Sequence, residues 1–176
     1  MTEAIHPQTT IGHVHLKVSD LARAEAFYHD VFGFEVVTRY GSEASFLSAG
    51  GYHHHIGLNT WQSKGAPPPP PYSSGLYHFA ILMPDRKELA RTVARILDHG
   101  VSLDGMSDHG VSEAVYLHDP DGNGIEIYRD RPHSEWPTTA DGSVAMTLEP
   151  LDLAGLLAEL GSRGGRCPPA SGRLRD

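Results

Sequence analysis

The stretch GHVHLKVSD at residues 12–20 decides the fold, because a second stretch, YHFAILMPD at residues 77–85, repeats its pattern. Each stretch alternates in the manner of a half-buried strand, and each ends at an aspartate that can begin a helix. The leading histidines, His13 and His78, occupy matching positions in the two stretches. A repeat of this length predicts two copies of one small supersecondary unit.

Both copies continue with a helix and three strands. The first helix is predicted over 21–32, and the second over 86–99, where Asp85 supplies the N-cap. The strands that follow are predicted at 34–39, 44–48, 53–58, 101–103, 114–118 and 124–128. The sequence therefore predicts an α+β fold built from two tandem βαβββ modules, at about 10–61 and 75–131.

The sequence has two further segments outside the repeated modules. A linker over 62–74 joins the modules, and its five consecutive prolines cannot pair in a sheet, so they favour an extended spacer. After the two-module domain, 1–132, comes a C-terminal extension, 133–176, with a short helix expected at about 151–160. The residues after that helix are rich in Gly, Arg, Pro and Ser, a composition typical of disorder.

Composition excludes several classes of protein. The 176 residues carry a formal net charge of −8, which argues against a nucleic-acid partner because phosphate binding needs a basic surface. The sequence has neither an apolar run of membrane-spanning length nor the pattern of a signal peptide. The single cysteine, Cys167, can form no disulfide framework within the chain. We therefore expect a cytoplasmic protein without a membrane partner.

Three residues on predicted strands have the chemistry of metal ligands. Because side chains alternate along a strand, His13 and His15 lie on the face opposite Val14, Leu16 and Val18. His78 matches His13 in the second module, and Glu126 lies opposite the apolar Ile125 and Ile127. A single histidine on a strand is usually a tolerated polar residue rather than a metal ligand. The recurrence of a histidine at matching positions, together with a glutamate on a third strand, favours a metal site. Two imidazoles and a carboxylate suit Fe(II) or Mn(II), or Zn(II) with one water.

Three sequence motifs of the chain resemble those of the vicinal oxygen chelate superfamily, which includes glyoxalase I, bleomycin-resistance proteins and extradiol ring-cleaving dioxygenases. They are GHVHLKVSDL at 12–21, the aromatic and glycine residues FY at 27–28 with FGF at 32–34, and DPDGNGIEIY at 119–128. The resemblance covers about residues 10–132. It implies a curved, partly closed mixed sheet around a metal site. The ligand positions that it implies are His13, His78 and Glu126, the same three that strand alternation indicates.

Within the superfamily, the motifs are most similar to those of catechol 2,3-dioxygenase-like proteins. That similarity implies three further residues near the metal: a histidine within 53–55, His109 and Tyr116. Strand parity directs His53 and His55 toward the cavity, whereas the family alignment favours His54, so His54 and His55 are both candidates. The simpler alternatives are a solvated edge strand for the histidine run, a surface turn for His109 and packing for Tyr116.

The resemblance implies a non-haem Fe(II)- or Mn(II)-dependent dioxygenase that cleaves a catechol-type small molecule. Zn(II) or Ni(II) would fit a glyoxalase-type lyase or isomerase instead, although the residues at 55–58 lack the carboxylate that glyoxalase I carries there. A metal-free, resistance-type binding protein is a third alternative. Many of the dioxygenases have four modules and this chain has two, so the site could close within one chain or across a homodimer.

Overall fold

The structure, a computed structural model, describes residues 4–161. The first module contains β1 (Val14–Lys17), α1 (Leu21–Ala26), a π-helical segment (Phe27–Phe32), β2 (Glu35–Tyr40), β3 (Ala44–Ser48) and β4 (Ile56–Asn59). The second contains β5 (Phe79–Leu82), α2 (Arg86–Asp98), β6 (Gly105–Asp108), β7 (Ser112–His118) and β8 (Gly124–Asp130). The extension adds a 3-10 turn (His133–Glu135), β9 (Glu149–Pro150) and α3 (Leu153–Ala158).

The strands form two sheets with the same internal order. The first sheet runs β1-β4-β3-β2, and the second runs β5-β8-β7-β6 with β9 added at its far edge. In each sheet the first and last strands of the module are parallel neighbours, and the remaining pairs within the module are antiparallel. These features confirm an α+β fold of two βαβββ modules. The expected closure into one curved sheet around a metal stays a prediction, because the strands described form two separate sheets.

Several element boundaries differ from those predicted. The helix expected at 21–32 changes from α to π at Phe27, where the wider turn brings four large side chains, those of Phe27, Tyr28, Val31 and Phe32, into the core. The strand expected at 101–103 is wrong, since Val101 and Leu103 pack against the core and β6 begins only at Gly105. The strand β9 was not expected. The tail predicted to be disordered lies mostly outside the described residues.

The two modules share one core. Apolar side chains of α1, the π-helical segment and α2 belong to the same buried cluster as residues from both sheets. The fully buried Tyr28 hydroxyl of the first module donates to Asp119 Oδ2 of the second at 2.9 Å. Arg95 of α2 donates to the carbonyl of Phe32 at 3.1 Å. These contacts fix how the two sheets are placed relative to each other.

The face of each sheet opposite the buried apolar side chains carries the polar residues that alternation predicted there. In β1, Leu16 is buried while His15 and Lys17 are exposed. In β8, Ile125 and Ile127 are buried and Glu126 is half-buried on the other face. Among residues 4–161, no helix combines the length and the apolar character needed to cross a membrane.

Candidate active site

Glu126 is the centre of a hydrogen-bonded array on the second sheet. Its strand, β8, lies between β5 and β7, so its carboxylate meets side chains from both neighbours. His78 Nε2, just before β5, lies 3.0 Å from Glu126 Oε2. The Tyr116 hydroxyl of β7, directly opposite in the strand register, donates to Glu126 Oε1 at 3.1 Å. The carboxylate is thus held from two sides.

The array continues from Tyr116 to His109. His109 Nε2 lies 2.9 Å from the Tyr116 hydroxyl, and both residues are half-buried. Burial, and then the negative charge of Glu126, raise the pKa of Tyr116 to about 12. The phenol therefore keeps its proton at neutral pH and can act as a hydrogen-bond donor. Four of the predicted site residues are linked side chain to side chain in one series: His78, Glu126, Tyr116 and His109.

Gly124 gives His78 the space to reach Glu126. The backbone of Gly124 lies against Tyr77, two residues before the start of β5. A Cβ added to Gly124 would be 2.1 Å from the Tyr77 carbonyl oxygen. The same Cβ would be 3.1 Å from His78 Cβ. Any side chain at this position would push the start of β5 away from β8.

A second group of histidines lies on the outward side of the first sheet. The His13 and His54 rings are 4.3 Å apart, and the Nδ1 atoms of His53 and His54 are separated by 2.7 Å. Burial lowers the pKa of His54, and the neighbouring His13 and His53 lower it further. The His15 ring lies 5.7 Å from Phe46 and 5.6 Å from Trp61. This face therefore places a His54 that favours its neutral form close to other rings.

The histidines at 53–55 do not follow strand parity, because β4 begins only at Ile56. The His54 ring lies against the His13 ring. His55 instead places its Nδ1 atom 3.1 Å from the Ser48 hydroxyl and 3.3 Å from the Ala49 amide. The geometry thus separates the two candidates, with His54 beside the predicted ligand His13 and His55 bound to the end of β3.

A groove of about 860 Å³ lies between β1 and β5 and is lined by residues of both modules. His13 and His78 both line this groove, whereas Glu126, Tyr116 and His109 are absent from its lining in the described part of the chain. Within residues 4–161, no three or more His, Cys, Asp or Glu side chains lie close enough to hold a metal ion. The structure therefore brings His78 and Glu126 together and leaves His13 apart from them.

Comparison with known proteins places this fold and motif set in a family. The sequence pattern of the Glyoxalase/Bleomycin resistance protein/Dioxygenase superfamily matches residues 10–127, which is most of the described chain. The chain belongs to this superfamily. The matched range contains the three predicted ligands of this superfamily member and the histidine run, and it ends one residue after Glu126.

Curated relatives of this superfamily member include dioxygenases. The chain is 44% identical over 159 residues to a catechol-2,3-dioxygenase of Bacillus subtilis, a match that covers 90% of this chain and 54% of that protein. It is 31% identical to a biphenyl-2,3-diol 1,2-dioxygenase of Rhodococcus globerulus, covering 68% of this chain and 63% of that one. The chain therefore spans between half and two thirds of the length of these relatives.

Solved structures of the superfamily share the fold. A lactoylglutathione lyase of Agrobacterium tumefaciens matches with a TM-score of 0.55 and 26% identity, over 70% of this chain and 96% of the other. A glyoxalase/dioxygenase of Nostoc punctiforme matches with a TM-score of 0.61 and 20% identity, over 75% and 99%. The second likeness concerns the fold alone.

Sequence reasoning missed two residues that shape the site. Gly124 was included in the strand predicted at 124–128 without a role of its own, although a glycine within a strand can indicate a close backbone approach. Thr147, whose carbonyl oxygen lies 3.0 Å from His109 Nδ1, is 38 residues away along the chain. No periodicity connects it to the site, because it lies in an irregular segment of the extension.

Proposed function

We propose that this chain is a metal-dependent, extradiol ring-cleaving dioxygenase that acts on a catechol-type small molecule. The observation that carries the proposal is the connected chain His78–Glu126–Tyr116–His109, which joins two metal-ligand types to a neutral phenol and an imidazole. The 44% identity to a catechol-2,3-dioxygenase supports this reaction class over the others in the superfamily.

The spacing of His78 and Glu126 fits a shared metal ion. A divalent ion shared by the two residues would be held by an imidazole nitrogen and a carboxylate oxygen, donor atoms that such ions take from proteins. His78 Nε2 and Glu126 Oε2 are separated by 3.0 Å. Imidazole and carboxylate together suit Fe(II), with Mn(II), Zn(II) or Ni(II) as alternatives. Extradiol dioxygenases are metal-dependent, which agrees with this donor set.

The chain's own residues supply proton handling around such an ion. A bound divalent ion would polarise the two oxygens of a catechol and hold them in place. Tyr116 donates a hydrogen bond through its hydroxyl, which is protonated at neutral pH. His109 lies behind Tyr116, where its Nε2 atom can accept a proton. His54 and His55 are the candidates from the first module, and the contact with His13 favours His54.

The third proposed ligand, His13, lies apart from His78 and Glu126 in the described residues. We propose a homodimer in which His13 of one copy joins His78 and Glu126 of the other. The support is that His13 lies with the first-module histidines and that no group of three ligands assembles within residues 4–161. Closure of the groove within a single chain is the alternative arrangement.

The test is anaerobic reconstitution of the purified protein with Fe(II), followed by addition of catechol and dioxygen. We expect a yellow ring-cleavage product together with stoichiometric oxygen uptake. Tyr116→Phe should lower turnover by about 100-fold or more, since proton handling by one positioned group contributes at that level. The matched control is Tyr40→Phe, which removes a hydroxyl from an exposed tyrosine on β2.

Other outcomes of this test would contradict the proposal. One bound metal per site without oxygen uptake would favour a glyoxalase-type lyase or isomerase, a class that the structural match to a lactoylglutathione lyase makes worth assaying. Assays with Ni(II), Co(II) or Zn(II) in the absence of oxygen would then follow. Failure to take up any divalent ion would favour a small-molecule binding protein.

A further inference from the structure

A segment of the C-terminal extension, residues 136–150, crosses the outer edge of the second sheet; we call it the strap. Its first residue, Trp136, donates its indole N–H to the Arg131 carbonyl at 2.8 Å. Its last residues form β9, which pairs with β6 at Ser107 and Asp108. The strap is therefore fixed at both ends, and it passes directly over the loop that carries His109.

Three contacts join the strap to that loop. The Thr147 amide donates to the His109 carbonyl at 3.0 Å, and the Thr147 hydroxyl donates to the Asp108 carbonyl at 3.3 Å. The Thr147 carbonyl oxygen lies 3.0 Å from His109 Nδ1. The packing is close, because a Cβ on Gly110 would lie 2.9 Å from Pro137 Cγ. The strap thus holds both the backbone and the ring of His109.

The contact with Thr147 determines which ring nitrogen carries the proton. A carbonyl oxygen can only accept a hydrogen bond, so the His109 Nδ1 atom beside it must be protonated. In a neutral imidazole the other nitrogen, Nε2, then has a free lone pair. That lone pair faces the Tyr116 hydroxyl at 2.9 Å. The single phenolic proton can therefore go to either of two acceptors, Glu126 or His109.

We propose that Thr147 is a positioning residue, whose backbone carbonyl holds neutral His109 in the Nδ1–H tautomer and so makes Nε2 a proton acceptor for Tyr116. The catalytic meaning of this inference rests on the proposed dioxygenase function. Without the strap, His109 could carry its proton on Nε2 and would donate to Tyr116 instead of accepting from it. The C-terminal extension thereby determines whether a proton can move from Tyr116 to His109.

Nitrogen NMR of the full-length protein tests the tautomer without metal or substrate. Two-bond couplings between the ring nitrogens and ring protons of ¹⁵N-labelled histidine show which nitrogen is protonated, and His109→Gln assigns the signal. At a pH where the ring is neutral, we expect His109 in the Nδ1–H form. His99, whose Nδ1 bonds to the Arg95 carbonyl, should show the same form. His6, whose Nδ1 accepts from the Gln8 amide, should show the opposite one.

Two substitutions at one position separate the backbone from the side chain. Thr147→Ala keeps both backbone groups, so the His109 tautomer should be unchanged. Thr147→Pro keeps the carbonyl but removes the amide that ties it to the His109 backbone, so the carbonyl should move away from Nδ1 and His109 should shift toward the Nε2–H form. In the same variant, kcat for ring cleavage should fall by at least about tenfold with little change in KM. The unchanged spectra of His99 and His6 would show that the variant is folded.

Two results would overturn the inference: an Nε2–H tautomer of His109 in the wild-type protein, or an Nδ1–H tautomer that persists in Thr147→Pro. The proposed function fails separately. If His109 has the Nδ1–H form but no catechol is cleaved, the positioning by Thr147 stands and the dioxygenase assignment falls.

Discussion

Glu126 contacts two partners from neighbouring strands, His78 and Tyr116, and its side chain is largely buried. Glu126→Ala would remove both contacts together with the proposed carboxylate ligand. We expect metal affinity to fall by more than about 100-fold, beyond the effect of losing an outer hydrogen-bond partner, and turnover to be lost. Metal content measured by mass spectrometry after dialysis checks this. An unchanged content would contradict the ligand assignment, and Glu135→Ala, at an exposed position, is the control.

Gly124 offers a prediction that concerns backbone spacing alone. In Gly124→Ala the new Cβ would meet the Tyr77 carbonyl oxygen, so the start of β5 must move and His78 with it. We expect a loss of about 1–3 kcal/mol in the free energy of unfolding, together with weaker metal binding. Urea unfolding and metal titration measure the two effects. Gly75→Ala, which has no atom within 4 Å of the added Cβ, should have neither effect.

Residues on regular strands could be placed from the sequence, and residues beside strands could not. Alternation put Glu126 on the face of β8 opposite Ile125 and Ile127, and the burial of those two residues agrees with it. The same rule failed for the histidines at 53–55, because they precede β4 and their backbone does not alternate. A pattern of period two carries information only where the strand hydrogen bonds exist.

At the level of elements, a carboxylate joins α1 to the first sheet. Glu25 accepts two hydrogen bonds from Arg39 of β2 and one from the Ser45 hydroxyl of β3. The hydrogen bond from Arg39 is the largest influence on Glu25 and lowers its pKa below the ordinary value of 4.5. A depressed carboxyl pKa stabilises the folded state above the unfolded pKa, and the contribution is lost as the pH falls through the folded pKa.

Glu25→Gln should therefore lower the melting temperature at neutral pH and have little effect in acid, below the folded pKa of Glu25. Thermal unfolding of both proteins across that range gives the comparison. The control is Glu35→Gln, since Glu35 is exposed on β2. A melting-temperature difference that stays constant down to the most acidic pH would show that the charge of Glu25 is not the cause.

The C-terminal helix α3 anchors the end of the strap. Its Leu156 is fully buried, and the neighbouring Gly155 carbonyl accepts from Arg86 of α2 at 3.1 Å. Leu156→Ala should cost about 2–5 kcal/mol, as expected for a leucine truncated in a core. Because the strap ends beside this helix, the Thr147 amide should also exchange with solvent faster. Hydrogen exchange measures this, and Leu148→Ala, at an exposed strap position, should leave the exchange rate unchanged.

Elements with local signals were predicted more accurately than those that tertiary packing determines. Asp85 accepts from the Glu88 amide at 2.8 Å, and α2 begins and ends within one residue of its predicted range. The π-helical turn at 27–32 has no such signal, since it forms where the large apolar side chains enter the core shared by both modules. The two-residue β9 is too short to produce a periodic pattern.

For the whole molecule, the dimer proposal predicts rescue between inactive variants. His13→Ala and Glu126→Ala should each be inactive alone. If His13 of one copy serves Glu126 of the other, mixed dimers contain one intact site, and unfolding and refolding the two variants together should recover about a quarter of wild-type activity. No recovery, despite mixed dimers detected by native mass spectrometry, would place the complete site within one chain.

The repeat in the sequence predicted two modules, and the structure confirms them, but nothing in the repeat described how they meet. That arrangement depends on contacts between residues far apart in the chain, such as the buried bond from Tyr28 to Asp119. Such a bond requires both modules to be folded, so a pattern within either module cannot reveal it.

The strap also has a consequence for the order in which a functional protein is made. A nascent chain that has emerged only as far as β8 contains His78, Tyr116, Glu126 and His109, yet it lacks the carbonyl that orients the last of them. Synthesis runs from the N-terminus, and the strap emerges after both sheets. A ribosome-bound intermediate could thus have both sheets assembled while His109 still lacks the carbonyl that sets its tautomer. Under the proposed mechanism, catalytic competence would then be acquired only after residues 136–150 have emerged.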